Sequence, residues 1–303
     1  MRVVSLIASS TEIICALGFE NLLVGRSHEC DYPASVKSLP QITRPLIDVE
    51  GSSCEIDARV KNLVRNALSV YEVNLEMLKE LQPDIIVTQS QCEVCAVSLK
   101  DVENAVQEWV GTRPQIVSLE PQSLADIWMD IQKVAEALGC VPQGDRLISL
   151  IKGRLSAVTR ITQRMDQHPR VALIEWIDPL MAAGNWMPEL VTLAGGLNLF
   201  GEAGKHSPWM RFEELTEKDP DVIVVSPCGF DIKRTMKEMP LLAANPEWNS
   251  LRAVREGRVY VADGNQYFNR PGPRVLESAE ILAEIFYPEK CKFGHEGIGW
   301  IKV

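Results

Sequence analysis

The chain has 303 residues, too many for one small core and suited to two units of roughly 140 to 150 residues each. Apolar residues make up 46% and charged residues 24%, a balance typical of folded domains. A net charge of −10 with no basic run argues against nucleic acid or an anionic membrane surface as main partner, and no apolar window of about 18 residues offers a membrane span.

In chain order, residues 2–7 are rich in Val and Ile and predict a buried strand. Ser9 and Glu12 stand at capping-box spacing, so a helix is expected from there to Gly18. This opening resembles an export signal only superficially, because Glu12 interrupts it and no small-residue cleavage site follows. The chain as it stands is therefore expected to be cytoplasmic, or periplasmic if an export signal has been removed. In a reducing cytosol its eight cysteines need not pair.

Residues 22–24 suggest a second strand leading to His28, Cys30 and Pro33, and residues 34–54 read as irregular. Helices are expected at 57–68, 74–81, 99–110 and 124–138, and strands at 84–88 and 115–119. The stretch 143–167 lies between Pro142 and Pro169 and contains no proline. Its residues Leu147, Ile151, Leu155, Val158, Ile161 and Met165 recur at helical spacing and line one face. At about 1.5 Å per residue, residues 145–166 would run roughly 33 Å. Such an element is either a rigid link between two units or a long surface helix of a single domain.

Beyond it, strands at 170–175, 222–226 and 258–261 alternate with helices at 188–194, 212–217 and 273–286. This α/β alternation predicts mainly parallel sheets, with ligands bound beyond the carboxyl ends of the strands. Gln82-Pro83-Asp84 before the long helix is echoed by Asp219-Pro220-Asp221 after it, each between a helix end and an apolar strand. The echo favours two related Rossmann-like units, 1–142 and 169–303, joined by a single linker helix over 143–168.

Several short motifs in order carry a resemblance. They are Ser10-Thr11-Glu12, Cys30-Asp31-Tyr32-Pro33, Asn74-Leu75-Glu76 leading to Pro83-Asp84, Ala194-Gly195-Gly196-Leu197-Asn198, Glu213-Glu214-Leu215 leading to Pro220-Asp221, and Arg270 with Pro273-Arg274. Across nearly the whole chain the sequence resembles the substrate-binding proteins of cobalamin and iron-chelate uptake systems, a class III periplasmic-binding fold. Cys92-Glu93-Val94-Cys95, Glu175-Trp176, Asn185-Trp186 and Pro227-Cys228-Gly229-Phe230 bring it nearest the cobalamin-binding subset. The resemblance implies two α/β lobes joined by one long helix, a ligand in the cleft between them, and an ABC permease as a partner that docks on Glu76 and Glu213. The alternative for this pair is ordinary first-turn carboxylates favoured by the helix dipole. The sequence as it stands is expected to depart from the family in showing no export signal, in carrying Gln266 where an Asp can meet the ligand, and in residues 51–73, which look like an insertion relative to short members.

Aromatic residues gather at predicted strand ends of the second half: Trp176, Trp186, Trp209, Phe230, Tyr267 and Phe268. A flat corrin or porphyrin needs apolar planes and a few polar groups at its rim, and Asn185, His206, Asn269 and Arg270 are suited to the rim. The plainer alternative is core packing. Cys92 and Cys95 form a C-x-x-C, and Cys228 occupies the corresponding loop of the other half, with Cys30 after an early strand. As thiolates they would suit a soft metal, an iron–sulfur cluster or the metal of a macrocycle; otherwise they are small buried hydrophobes. His28 and His206 are further candidate ligands, whereas His168 and His295 are set aside. With no phosphate-binding glycine loop and no spaced Ser, His and Asp, an enzyme is not expected. The leading expectation is a binding protein for a cobalamin-like corrinoid or another metal chelate. The alternative is a cytosolic metal or iron–sulfur protein that uses the cysteines as ligands.

Overall fold

The computed structural model describes residues 1–65, 70–90 and 113–303. The chain is α/β throughout and divides into two compact units: residues 1–51, 55–121 and 125–149, then residues 52–54, 122–124 and 150–303. The division falls inside the long helix Val141–Thr162, which runs unbroken from one unit into the other.

The first unit carries β1 (Val3–Ser5), β2 (Leu23–Arg26), β3 (Thr43–Pro45), β4 (Tyr71–Val73), β5 (Ile85–Gln89) and β6 (Gln115–Leu119). Four strands form a fully parallel sheet in the order β2-β1-β5-β6, while β3 and β4 pair antiparallel as a separate ribbon. Strands covered on both faces need apolar residues at consecutive positions, and the triplets Val3-Val4-Ser5 and Ile85-Ile86-Val87 are buried throughout. Val4, Leu6, Ile42, Leu78 and Ile86 form one buried apolar cluster of this unit.

The second unit adds β7 (Arg170–Trp176), β8 (Met181–Ala182), β9 (Leu197–Asn198), β10 (Val222–Val225), β11 (Val259–Ala262) and β12 (Trp300–Lys302). Its sheet runs β12-β11-β10-β7-β8, with β9 beside β7. The central strands β11, β10 and β7 are parallel, and β12 and β8 pair antiparallel at the flanks. The helix Val275–Phe286 is buried at all but one of its twelve positions, as expected for a helix apolar around most of its circumference.

Several expectations shift. The first helix is Ala8–Ala16 with Ile7 at its cap and no side-chain cap, so Ser9 lies inside it and the capping-box reading fails. Ser10 instead turns back to donate to the Ile7 carbonyl. The helix expected at 57–68 begins earlier, at Ser53, and its residues 66–68 lie outside the described residues, as does all of the helix expected at 99–110. The long helix starts at Val141 because Pro142 sits in its first turn, where a missing N–H costs nothing. It stops at Thr162, five residues short of the expected end. Its buried face is Ile151, Leu155, Val158 and Thr162, whereas Ile161 is exposed. The helix Ile232–Ala243 gave no signal in the sequence, since Pro240 lies within it.

Candidate functional site

Three parallel strands of the second unit end together. β7 closes on Glu175-Trp176, β10 on Val225 and β11 on Ala262. Their following loops are stitched by backbone hydrogen bonds. Ser226 N–H donates to the Ile174 carbonyl at 2.9 Å and Cys228 N–H to that of Glu175 at 3.1 Å. Asn265 N–H donates to the Phe230 carbonyl at 3.1 Å, and the Asn269 amide reaches the carbonyls of Ser226 and Gly264 at 3.3 and 3.0 Å. Gly264 makes this possible: a Cβ there would lie 2.0 Å from the Pro227 carbonyl oxygen.

After β11 the chain forms a π-type turn over Gly264–Phe268, a rare conformation that often marks a functional position. Asp263 caps it, accepting from Gln266 N–H at 2.6 Å. Burial pushes the Asp263 carboxyl above its ordinary pKa, and the Gln266 N–H and the charge of Arg270 oppose that rise. Arg270 is almost fully buried and donates to Asn265 Oδ1 at 3.0 Å. Arg274 donates to Gln266 Oε1 at 3.0 Å and lies 5.2 Å from the centre of the Tyr267 ring.

The aromatic residues separate by exposure. Trp176 and Phe230 stack at 5.3 Å with a 55° tilt, and the Arg234 guanidinium covers the Phe230 ring at 4.0 Å. Trp176 and Tyr267 are half-buried, and Trp209, bridged to Met181, is 55% exposed. Trp186, Phe230 and Phe268 are buried and pack as core. Asn185 takes a positive φ of 51° and is held by Lys205 and Gly204 backbone groups. His206 is exposed, with Nδ1 3.0 Å from the Ser207 carbonyl. Among the described residues, the buried atoms Trp176 Nε1, Asn185 Oδ1 and Trp186 Nε1 have no hydrogen-bond partner.

Sequence reasoning missed three contributors. Ser207 Oγ donates to the Glu175 carboxylate and accepts from Gly184 N–H, tying the 184–207 segment to the end of β7. Arg234 and the Asp263 cap are the others. The Asp263-Gly264 pair after an apolar strand was a readable cap signal; the Ser207 and Arg234 contacts are non-local and left none.

The remaining candidates belong to the first unit or to the second, or lie outside the described residues. Cys92 and Cys95 lie outside the described residues. Cys228 is half-buried in the loop after β10. Cys30 is buried in the first unit, 3.0 Å from Thr11 Oγ1. Among the described residues no three His, Cys, Asp or Glu side chains are grouped to hold a metal ion. His28 sits 2.8 Å from Thr43 Oγ1, and burial, helped by the Arg26 charge, pushes its imidazole down to about 4. Glu76 and Glu213 are both exposed and occupy the second position of seven-residue helices, Leu75–Leu81 and Phe212–Lys218. No helix among the described residues is long and apolar enough to cross a membrane.

Comparison with known proteins gives a consistent picture. An uncharacterised ABC transporter substrate-binding lipoprotein of Bacillus subtilis is 24% identical over 96% of this chain and 81% of its own. A vitamin B12-binding protein of Yersinia pestis is 23% identical over 93% of this chain and 85% of its own. Among solved structures, the apo periplasmic heme-binding protein of Roseiflexus sp. RS-1 shares the fold with a TM-score of 0.70 at 23% identity, covering 95% of this chain and 98% of its own. The family model described as periplasmic binding protein matches residues 3–265, and the chain belongs to that family.

Proposed function

We propose that this protein is a non-enzymatic binding protein for a flat metal chelate, a cobalamin-like corrinoid or a heme-type macrocycle, held at the carboxyl ends of β7, β10 and β11. The observation that carries this reading is the aromatic edge built there on a buried arginine turn. Trp176, Trp209 and Tyr267 offer planes that reach solvent, Phe230 backs Trp176, and Trp186 and Phe268 are buried in the core of the same unit. Asn185, His206 and Arg270 supply polar groups for the ligand rim. The relatives named for vitamin B12 and for heme support the class of ligand.

In this reading residues 1–142 and 169–303 act as two domains and 143–168 as their link. Glu76 and Glu213, matched in position and both exposed, dock on an ABC permease, and the protein works outside the cytoplasm. Relatives described as a lipoprotein and as periplasmic support that placement. The test is titration with cyanocobalamin, hydroxocobalamin and hemin, followed by calorimetry and visible absorption. Saturable heat with a shifted spectrum is expected for at least one of them; silence from all three at high micromolar concentration ends the proposal.

A further inference from the structure

The C-terminal residues 291–303 wrap the helix Val275–Phe286 and then join the sheet edge as β12. Two buried glutamates one turn apart on that helix hold them. Glu284 accepts from the backbone N–H groups of Phe293, Gly294 and His295 and from the Trp300 indole at 2.7 Å. Glu280 pairs with His295 Nε2 at 2.9 Å on one oxygen and with Arg154 at 2.7 Å on the other.

The same segment presses on the turn that carries Tyr267 and leads to Arg270. Gly299 accepts from Asp263 N–H at 2.9 Å, at the cap of that turn. His295 meets the Tyr267 ring edge-on at 6.2 Å. A Cβ on Gly299 would lie 3.3 Å from the Tyr267 ring and 2.7 Å from Ile281, so the strap runs flat against both. On its other side the turn is held by Ser278 Oγ, which donates to the Tyr267 carbonyl at 2.9 Å.

We propose that residues 293–302 are a strap positioning the 263–270 turn, and that the His295–Glu280 ion pair latches it, so the turn is held most firmly at mildly acidic pH and loosens as pH rises. The charged groups facing His295 are Glu280, Glu284 and Glu277 from the helix, with Arg154 from the long helix acting on the shared Glu280. Their balance is acidic, and hydrogen bonding to Glu280 raises the imidazole above its ordinary value. Glu280 itself is held low by His295 and Arg154 against the effect of its burial. For His295 the stabilisation is complete below its ordinary value near 6.5 and is lost as pH rises through the raised one. For Glu280 it is complete above about 4.5 and fades only in stronger acid. Both charges are present between those limits.

This device does not depend on which ligand the protein binds, and it makes His295 a positioning residue for whatever the turn contacts. The test is amide hydrogen exchange of residues 263–270 in ligand-free protein at pH 6.0 and 8.5, corrected for intrinsic exchange. Opening of the turn is expected to increase on the order of threefold to tenfold at the higher pH, with β7 and β10 amides unchanged. H295Q keeps a hydrogen-bonding side chain without the charge, and is expected to erase the pH difference at both ends of the range. E280Q should do the same. A flat wild-type profile, or an H295Q profile with the wild-type slope, overturns the proposal. If exchange behaves as expected while cyanocobalamin and hemin both fail to bind, the strap stands and the ligand assignment falls.

Discussion

Asp84 and Asp221 hold the same post in two different sheets. Each follows a proline, and each accepts the backbone N–H of the arginine at the start of a central strand of its unit, Arg2 just before β1 at 2.7 Å and Arg170 as the first residue of β7 at 2.8 Å. In return Asp84 N–H donates to the Arg2 carbonyl and Asp221 N–H to that of Arg170. Even the preceding helix ends match, with Gln82 and Asp219 at φ of 43° and 38°. The arginines reach back to the same helix ends, Arg2 Nε to the Leu81 carbonyl and Arg170 to that of Asp219.

The two sites differ in exposure, which sets their worth. The Asp84 side chain is 60% exposed, whereas that of Asp221 is 19% exposed and also pairs with Arg252 at 2.7 Å. Asp221→Ala is expected to cost about 1.5–3 kcal/mol, and Asp84→Ala about 0.5–1 kcal/mol. Urea unfolding of both variants checks the order; an equal or larger loss for Asp84→Ala contradicts it.

Gly264→Ala drives a methyl into the Pro227 carbonyl, a backbone atom that cannot turn aside. The expected loss is about 1–3 kcal/mol from overpacking, and the 263–270 turn should shift with it. Thermal unfolding that matches the wild type would show that the turn has room this structure does not show.

On the proposed binding role, Trp209 and Trp186 should separate ligand contact from structural support. Trp209→Ala removes an exposed ring and should leave stability within about 0.5 kcal/mol while lowering chelate affinity. Trp186→Ala opens a cavity in the core and should cost about 3–5 kcal/mol. Calorimetric unfolding and ligand titration on the two variants read out both halves of the contrast.

His28 makes the first unit sensitive to acid. Its folded pKa lies near 4, below the ordinary 6.5, so the fold favours the neutral ring. That contribution is intact above 6.5 and is lost as pH falls toward 4. At about 1.4 kcal/mol per pH unit across that interval, the loss approaches roughly 3 kcal/mol. His28→Asn should flatten this slope in urea unfolding between pH 7 and 4.5; a variant as acid-labile as the wild type would assign the slope to other groups.

Local features were the legible ones. The strand Gln115–Leu119 stands where the sequence places it: Val117 and Leu119 are buried while Gln115, Ile116 and Ser118 keep some exposure, the period-two pattern of a half-buried edge strand that is recognisable without partner information. The Pro-Asp echo was likewise readable, since both copies are local helix stops. Helix ends were harder. Thr162 replaces Ile161 on the buried stripe because its hydroxyl is satisfied by the carbonyls of Thr159 and Leu193, the latter far away in sequence. Trp176, Phe230 and Tyr267 could be picked as a group from their places at strand ends. Which rings face outward could not, because the burial of Phe268 and Trp186 is decided by neighbours that sequence spacing does not reveal.

The π-type turn at Gly264–Phe268 holds one residue more than an α-helical turn would. Removing a residue between Gly264 and Phe268 would let it tighten and rotate all that follows by about 100°. Arg270 would then leave Asn265 and present a different edge. On the proposed binding role, chain length at this one turn would set which edge Arg270 presents to the ligand. A deletion of Gln266 that folds but keeps the wild-type ligand profile would show that the turn carries no such leverage.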